Sequence, residues 1–471
     1  MDNDRLFGLI EKQWDESILP KIEEYIRIPC KSPHFDADWE ASGHLEKAVT
    51  LIEAWCKTQP IKGLTTEVVR LPGRSPLLFM EIPATDGSDG DTVMLYGHYD
   101  KQPEMTGWRD GLGPWLPVRE GDKLYGRGGA DDGYAAFASL LAIRALGELG
   151  AKHRRCVVII EGCEESGSFD LPFYLQHLGD RMGNVSLVVC LDSGCGNYEQ
   201  LWLTTSLRGL VGGTLTVKVL EQGVHSGDAS GVVPSSFRIA RQLLDRLEDV
   251  ATGAILPHSF HAYIPDERTL QAKVSGRVLQ DSLLSRFPYA GRTEAMSTDT
   301  TQVVLNRTWK PFLAVTGAAG LPPIENAGNV LRPFTSLKLS LRLPPTVDAT
   351  TALAELGRLL TADPPYAADV TFAPDTPGDG WNAPALAPWL GTSVERASQA
   401  FFKREACYMG EGGSIPFMGM LGRSYPEAQF VITGVLGPNS NAHGPNEFLH
   451  VPMAKRLTAA VALVLADHAA R

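Results

Sequence analysis

Apolar residues along the chain follow two different patterns, and each pattern predicts a different kind of strand. Short, nearly continuous apolar runs bounded by Gly or Asp are typical of strands buried on both faces of a sheet. Such runs cover residues 76–84, 92–97, 156–160, 185–191 and 429–436. Residues 5–28 and 134–149 show helical periodicity before and between them. We therefore predict an α/β domain with a mostly parallel sheet covered by helices.

The middle of the chain alternates apolar with polar residues instead. Residues 211–222 and 335–345 show this alternation, which suits strands with one solvated face. Residues 236–250 and 351–363 have helical periodicity. The pattern predicts an α+β domain that is inserted into the α/β domain. We place the first domain at 1–207 and 381–471, and the inserted domain at 208–380.

Composition and charge narrow the classes of function. Lys and Arg number 43 and Asp and Glu number 55, and the resulting net charge of −12 argues against binding to nucleic acid or to an anionic membrane. No signal-peptide pattern opens the chain, and the apolar run 459–466 is too short to span a membrane. Seven cysteines show no paired spacing, which favours a reducing compartment. We therefore expect a cytoplasmic protein.

Acidic residues and histidines follow the predicted strands. The segment EGCEESGSF, residues 161–169, places Glu161, Glu164 and Glu165 directly after an apolar run. The ends of the other runs and the loops near them carry His98, Asp100, Asp131, Asp132, Asp192 and His443. Because ligands collect at the carboxyl ends of the strands in an α/β sheet, we expect these side chains to lie close together. Crowded carboxylates with imidazoles predict a metal site.

A charge count favours two metal ions in this site. The candidate ligands are His98, Asp131, Glu165, Asp192 and His443. Their three carboxylates need counter-charge in a buried site, and two divalent cations with a bridging hydroxide bring the sum to zero.

Three of the acidic residues receive distinct roles in this scheme. Asp131 is the expected bridging carboxylate, because each ion then has three protein ligands. Glu164 is left over, and it can accept a proton from the bridging water and pass it to a leaving amine. Asp100 follows His98 by two residues and can hold the other nitrogen of its imidazole.

Each motif has a simpler interpretation when it is taken alone. Asp131 and Asp132 could cap the helix that follows them. Glu164 and Glu165 could lie in a solvated loop, and His443 could be a surface residue. The metal site is favoured because these motifs occur together, at successive strand ends.

At these residues the chain resembles the M20 family of metallopeptidases, and within it the branch of the cytosolic nonspecific dipeptidases and carnosinases. The resemblance implies a catalytic domain with two zinc ions, or manganese, and a ferredoxin-like lid that makes a homodimer contact. The matching segments are 97–103, 124–133, 161–168, 191–194, 223–228, 341–345, 411–416 and 441–447.

The resemblance also implies roles for single residues in metal binding and catalysis. His98, Asp131 and Asp192 would hold one ion. Asp131, Glu165 and His443 would hold the other, with Glu164 as the general base.

Further residues would bind the substrate. His225, from the lid of the neighbouring subunit, would stabilise the oxyanion. Arg342 would bind the free carboxylate of the substrate with its bidentate fork. Asn329, Gly413 and Ser414 would make further contacts with the substrate.

The sequence differs from the family pattern at three positions, none of which is a candidate metal ligand. Gly133 stands where relatives commonly have Lys, Gly410 where the dipeptidases have Arg, and Asp379 where they have His. Carnosine is therefore not assumed to be the substrate.

The sequence predicts a di-metal hydrolase, a dipeptidase that cleaves dipeptides or short peptides with a free carboxylate. The alternative is an N-acyl- or N-carbamoyl-amino-acid amidohydrolase of the same family. The two differ in whether the substrate needs a free α-amino group, for which Glu411 is a candidate partner. A catalytically silent binding protein is a third possibility, and the complete ligand set with Glu164 argues against it.

Overall fold

The chain forms two compact units in a computed structural model that describes residues 2–87, 90–413 and 416–471. Unit 1 comprises Met1–Thr204, Ala383–Tyr408 and Met420–Arg471. Unit 2 comprises Thr205–Asn382 and Met409–Gly419. The apolar pattern of the sequence does not predict that Met409–Gly419 belongs to unit 2, because this assignment depends on which residues the segment contacts.

Strands and helices are numbered in chain order. The strands are β1 (Thr65–Val69), β2 (Leu77–Ile82), β3 (Thr92–His98), β4 (Val118–Glu120), β5 (Lys123–Tyr125), β6 (Arg155–Glu161), β7 (Val185–Cys190), β8 (Trp202–Leu207), β9 (Gly209–Lys218), β10 (Val224–His225), β11 (Phe312–Ala319), β12 (Val330–Leu331), β13 (Phe334–Leu343), β14 (Asp369–Pro374), β15 (Trp381–Asn382), β16 (Cys407–Glu411), β17 (Gln429–Ile432) and β18 (Phe448–His450). The α-helices are α1 (Asn3–Gln13), α2 (Leu19–Ile26), α3 (Trp39–Ser42), α4 (His44–Lys57), α5 (Ala135–Glu148), α6 (Leu171–Leu178), α7 (Ser226–Ala229), α8 (Ser236–Leu244), α9 (Asp266–Leu279), α10 (Ser282–Ser285), α11 (Thr300–Thr308), α12 (Ala349–Thr361), α13 (Pro388–Phe402), α14 (Pro416–Ser424) and α15 (Val451–Ala470).

The main sheet of unit 1 has the strand order β1-β2-β6-β3-β7-β17. Strands β6, β3, β7 and β17 run parallel, and β1 and β2 complete the sheet through antiparallel pairs. Every residue of β3 is buried, and so is every residue of β6 after the first. Strands buried in this way belong to a sheet that is covered on both faces, so the α/β prediction is confirmed.

Helices predicted from periodicity are present, with two differences. The helix predicted over 236–250 is α8, which ends at Leu244. The segment predicted as one helix over 5–28 consists of α1 and α2, which are joined by a π-helical turn at Trp14–Ile18. The helix predicted over 134–149 is α5, which is buried nearly all round and packs against α15 and β3. A helix apolar on all sides in a globular protein is a core helix.

Gly97 brings the start of α5 close to the end of β3. A Cβ atom at Gly97 would lie 2.4 Å from Cβ of Ala135 and 2.7 Å from Oδ2 of Asp132. Only glycine allows so close an approach of strand and helix. The consequence is that His98, at the end of β3, lies beside the acidic residues that precede α5.

Unit 2 contains an antiparallel sheet with the order β11-β13-β9-β14. In β13 every second residue is buried, as the apolar-polar alternation predicted. The buried face packs against α8 and α12, whose apolar residues complete the core. Strand β11 lies at one edge of this sheet, and most of its residues are exposed.

None of the helices in the described part of the chain is both long enough and apolar enough to cross a membrane.

Candidate metal centre

Parallel strands of unit 1 bring acidic and imidazole side chains to one edge of the main sheet. His98 is the last residue of β3, and Asp192 follows β7 by two residues. Glu164 and Glu165 lie in a single 3-10 turn, Glu164–Ser166, after β6. Because these strands are parallel neighbours, their carboxyl ends converge, as the sequence led us to expect.

Asp131 lies between the two histidines and presents one carboxylate oxygen to each. Its Oδ1 is 3.2 Å from Nε2 of His98, and its Oδ2 is 3.0 Å from Nε2 of His443. A carboxylate placed in this way has the geometry of a bridging ligand. The peptide bond between Asp131 and Asp132 is cis.

The other donor atoms complete two groups around these histidines. Nε2 of His443 is 3.3 Å from Oε2 of Glu165, and Nε2 of His98 is 3.8 Å from Oδ2 of Asp192. Donors that share one tetrahedral ion at Zn–N and Zn–O distances lie about 3.4 Å apart. The spacing therefore suits ligands of a common ion.

Glu164 is part of this cluster as well as a candidate base. Within the described residues, two sets have donor atoms close enough to hold an ion: His98 with Asp131 and Glu165, and His98 with Glu164 and Asp192. Glu164 therefore lies close enough to an ion site to act either as a ligand or as a base.

Burial and mutual repulsion disfavour the charged forms of the carboxylates. Burial, followed by the charge of Asp192, raises the pKa of Glu164 well above its usual value. Burial and the charge of Asp131 do the same to the pKa of Glu165. The pKa of Asp192 rises to about 7, because burial outweighs the favourable charge of His98. This set of carboxylates lacks counter-charge.

Hydrogen bonds between the histidines and Asp131 favour the charged forms of these side chains. Burial opposes the charged form of His98, but hydrogen bonds with Asp100 and Asp131 raise its pKa well above the usual value. Burial also disfavours the charged form of Asp131, but the hydrogen bonds with His443 and His98 lower its pKa. The imidazoles thus supply only part of the positive charge that the cluster needs.

The donor set fits divalent cations. It combines imidazole nitrogens and carboxylate oxygens, the donor types that zinc and manganese accept in proteins. Divalent ions would also provide the counter-charge that these buried carboxylates lack.

Asp100 holds the glutamate turn as well as the histidine. Its Oδ1 lies 3.4 Å from Nδ1 of His98. The same oxygen accepts the backbone N–H of Glu164 at 3.1 Å, and Oδ2 accepts that of Glu165 at 3.0 Å. Asp100 therefore positions both glutamates, a role that sequence reasoning did not assign.

Two further residues lie next to the cluster: Gln102, which sequence reasoning missed, and Asp132, which it expected near the site but to which it gave no role in metal binding. Gln102 donates from Nε2 to Oε2 of Glu165 at 2.6 Å. Asp132 is fully buried and accepts the backbone N–H of His98 at 3.3 Å. Gln102 stands four residues after His98 in GHYDKQP, and Asp132 adjoins Asp131. For Gln102, its position in this motif was the only available signal.

His443 is held by a strained loop. Its side chain is 55% exposed, whereas those of Asp131 and Glu165 are buried. The backbone is left-handed at His443, with φ of 64°, and at Asn439, Asn441 and Asn446. Residues other than Gly and Asn adopt this conformation at a cost, so tertiary contacts must hold it.

The residues assigned to substrate binding lie in unit 2, apart from Ser414, which falls outside the described residues. His225 pairs with Val330 across β10 and β12, and the carbonyl of Asn329 accepts the N–H of Ser226 at 2.9 Å. His225 and Asn329 are therefore neighbours. Arg342 is half-buried on β13. The carbonyl of Gly413 accepts the N–H of Arg208 at 3.2 Å.

The chain is similar in sequence to curated dipeptidases. Cysteinylglycine-S-conjugate dipeptidase from Corynebacterium striatum is 26% identical over 382 residues, which cover 78% of this chain and 80% of that protein. Beta-Ala-His dipeptidase from Mus musculus is 27% identical over 297 residues, which cover 61% of this chain and 58% of that protein.

The fold is found among solved structures, and a family model matches the sequence. The di-peptidase Dug1p from Saccharomyces cerevisiae has a TM-score of 0.78 at 19% identity, covering 100% of this chain and 99% of its own. The model of Peptidase family M20/M25/M40 matches residues 94–467. Because that match spans well over half of the chain and includes the cluster of candidate metal ligands, the chain is an enzyme of peptidase family M20/M25/M40.

Proposed function

We propose that this enzyme hydrolyses the peptide bond of dipeptides or short peptides that have a free C-terminal carboxylate. The proposal rests mainly on the geometry of Asp131. One of its carboxylate oxygens faces His98 and the other faces His443, as expected for a carboxylate that lies between two ions. The dipeptidase activities named for the sequence relatives support this substrate class.

Two divalent ions, zinc foremost, are the proposed cofactors. His98, Asp131 and Asp192 would hold one, and Asp131, Glu165 and His443 the other. When bound, the ions would supply Lewis-acid activation of water and of the scissile carbonyl. Glu164 is the proposed general base, which takes the proton of the attacking water and delivers it to the leaving amine.

His225 is the proposed donor to the oxyanion. Its Nδ1 accepts the backbone N–H groups of Gly227 at 3.1 Å and Asp228 at 3.4 Å. In the neutral imidazole the proton is then on Nε2, which is left free to donate. Such a donor would stabilise the charge that develops on the carbonyl oxygen. It could act within its own chain or in a partner subunit.

Arg342 is the proposed binding group for the substrate carboxylate, and Asn329, Gly413 and Ser414 are proposed to contact the substrate. Arg342 is half-buried on β13, where a bidentate carboxylate contact is stronger than in open solvent. Replacement of Arg342 by Lys should therefore raise KM more than it lowers kcat, because the contact is present in the ground state.

A homodimer through unit 2 is part of the proposal. Phe312 and Val315 are exposed on the edge strand β11, and Ile324 is exposed in the segment that follows. Exposed apolar residues beside an edge strand favour association with a second copy. The cytoplasmic location stays a prediction from the sequence.

The alternative substrate class is the N-acyl or N-carbamoyl amino acids. Glu411, the candidate partner for a substrate ammonium, interacts instead with the guanidinium groups of Arg307 and Arg286. This weakens one argument for a free α-amino group. We therefore keep the deacylase as the second candidate.

A paired substrate panel tests the proposal. Zinc- or manganese-loaded protein is assayed on dipeptides and on their N-acetyl and N-carbamoyl counterparts, with a chelated sample as the control. Chelator-sensitive cleavage of the free-amine members supports the dipeptidase. Cleavage of the blocked members alone would establish the deacylase, and silence on both with metal bound would contradict both candidates.

A further inference from the structure

Three arginines of unit 2 lie close together. The Nη1 atom of Arg208 lies 3.5 Å from the carbonyl of Asn306 and 3.3 Å from that of Lys310, the residues around Arg307. In the sheet, Arg342 pairs with Leu210, two residues after Arg208. Burial, together with the charges of Arg342 and Arg307, lowers the pKa of Arg208 to about 10.

The three guanidinium groups differ in how far they are satisfied. Arg208 donates from Nε to the carbonyl of Gly412 at 3.1 Å, so its guanidinium is hydrogen-bonded to the backbone. Nη1 of Arg307 is buried and has no hydrogen-bond partner among the described residues. For Arg342, too, the described part of the chain offers no hydrogen-bond or ion-pair partner. A half-buried guanidinium with free N–H groups requires an acceptor.

The charge of this cluster is also unbalanced. Glu411 is the carboxylate that interacts with Arg307. Glu411 also interacts with Arg286, so this one carboxylate leaves the positive charge of the three arginines in excess. A ligand with two carboxylates would reduce this excess charge and provide acceptors for both unsatisfied arginines.

We propose that Arg307 and Arg342 form a subsite for two carboxylates, so that the enzyme prefers dipeptides whose C-terminal residue is Asp or Glu. This rests on the proposed function, in which Arg342 binds the main-chain carboxylate. Arg307 then binds the side-chain carboxylate, and Arg208 holds the backbone around Arg307 in place. The neutral amides of Asn and Gln have nearly the same shape but carry no charge to offset the cluster.

Matched acid and amide substrates test this subsite in the wild-type enzyme. We expect kcat/KM for Ala-Glu to exceed that for Ala-Gln by about tenfold or more, mainly through KM, since a charged acceptor is lost in the amide. The same order is expected for Ala-Asp over Ala-Asn. In Arg307→Gln the preference for the acidic dipeptides should disappear, because kcat/KM falls for Ala-Glu and Ala-Asp but not for Ala-Gln and Ala-Asn. Arg277→Gln, an exposed arginine on α9, should leave it unchanged.

A binding measurement separates this proposal from the proposed function. Titration calorimetry of the metal-loaded wild-type protein with L-glutamate and with L-glutamine needs no turnover. Tighter binding of glutamate by about tenfold would support the subsite even if no dipeptide is cleaved. Equal binding of both, or equal cleavage of acid and amide dipeptides, would overturn the subsite and leave dipeptide hydrolysis standing.

Discussion

Arg127 and Glu447 form a fully buried ion pair that ties together the segments carrying Asp131 and His443. Arg127 donates from Nη1 to Oε2 of Glu447, and both side chains are removed from solvent. Oε1 of Glu447 accepts the backbone N–H of Gly128 at 2.8 Å, and Arg127 also donates from Nη2 to the carbonyl of Gly444 at 2.9 Å. The pair therefore connects the loop before Asp131 to the strained loop of His443.

The replacement Glu447→Gln should weaken metal binding by the ligands that include His443. It leaves the buried charge of Arg127 without its partner, which typically costs about 3–5 kcal/mol of stability. Metal affinity should fall by about 10- to 100-fold, as it does when groups that orient a ligand are lost. Metal content after dialysis against a competing chelator measures the first effect, and thermal unfolding the second.

An exposed ion pair provides the control for Glu447. Arg109 and Glu120 are 2.5 Å apart, with side chains 54% and 46% exposed. Glu120→Gln should leave both the stability and metal binding nearly unchanged, because solvent screens such a pair. Equal effects of Glu447→Gln and Glu120→Gln would contradict a positioning role for the buried pair.

The replacement Glu164→Gln should leave both ions bound and lower kcat by about 10²- to 10⁴-fold, the usual contribution of a general base. The glutamine keeps the shape of the side chain but cannot accept the proton. Metal content and steady-state turnover are measured on the same preparation. Loss of one ion from this variant would show that Glu164 is a ligand, a role that its spacing to His98 and Asp192 also allows.

Gly133→Ala should destabilise unit 1. A Cβ atom at Gly133 would lie 2.1 Å from Cε1 of Tyr25 and 2.6 Å from the carbonyl oxygen of Gly128. Either the buried ring or the loop before Asp131 must move, and overpacking of this kind costs about 1–3 kcal/mol. The matched control is Gly147→Ala in α5, where a Cβ meets nothing within 4 Å. That variant should be more stable than wild type by up to about 1 kcal/mol. A lower melting temperature for Gly147→Ala than for Gly133→Ala would refute the packing argument.

His468 should make the protein less stable as the pH falls from about 6.5 to 4. His468 is buried on α15, and its Nε2 lies 2.9 Å from Oγ of Ser186. Burial, with a contribution from the charge of Arg471, lowers its pKa to about 4. His468 takes up a proton near pH 6.5 in the unfolded chain but only near pH 4 in the folded protein. The free energy of unfolding should therefore decrease by up to about 3 kcal/mol between these two pH values, with no further decrease below pH 4.

Melting temperatures at pH 7 and pH 5 measure this effect. The difference between the two values should be smaller for His468→Gln than for wild type, because the variant has no proton to take up. His177→Gln, an exposed histidine on α6, should behave as wild type. The same pH dependence in all three proteins would show that other groups account for it.

Local pattern was sufficient for some of the elements that form the core of each unit, but buried elements such as β8 and α15 were not predicted. Continuous apolar runs identified β2, β3, β6, β7 and β17, and alternation identified β9 and β13, because burial on one or two faces follows from side-chain periodicity. Short strands such as β4, β5 and β18 were not predicted, since two or three residues are too few to show a period.

The sequence by itself determined which residues meet at the centre of unit 1. Parallel strands carry their last residues to one edge, so the positions of His98, Asp192 and the glutamates follow from chain order. Only the tertiary structure decided how they are oriented: the two oxygens of Asp131 turned to separate histidines, and Asp100 bound to the N–H groups of the glutamate turn. Arg127 and Glu447 are 320 residues apart in sequence, and their contact depends on how distant segments pack. Periodicity encodes which face of an element is buried, but it carries no information on which buried polar groups become partners.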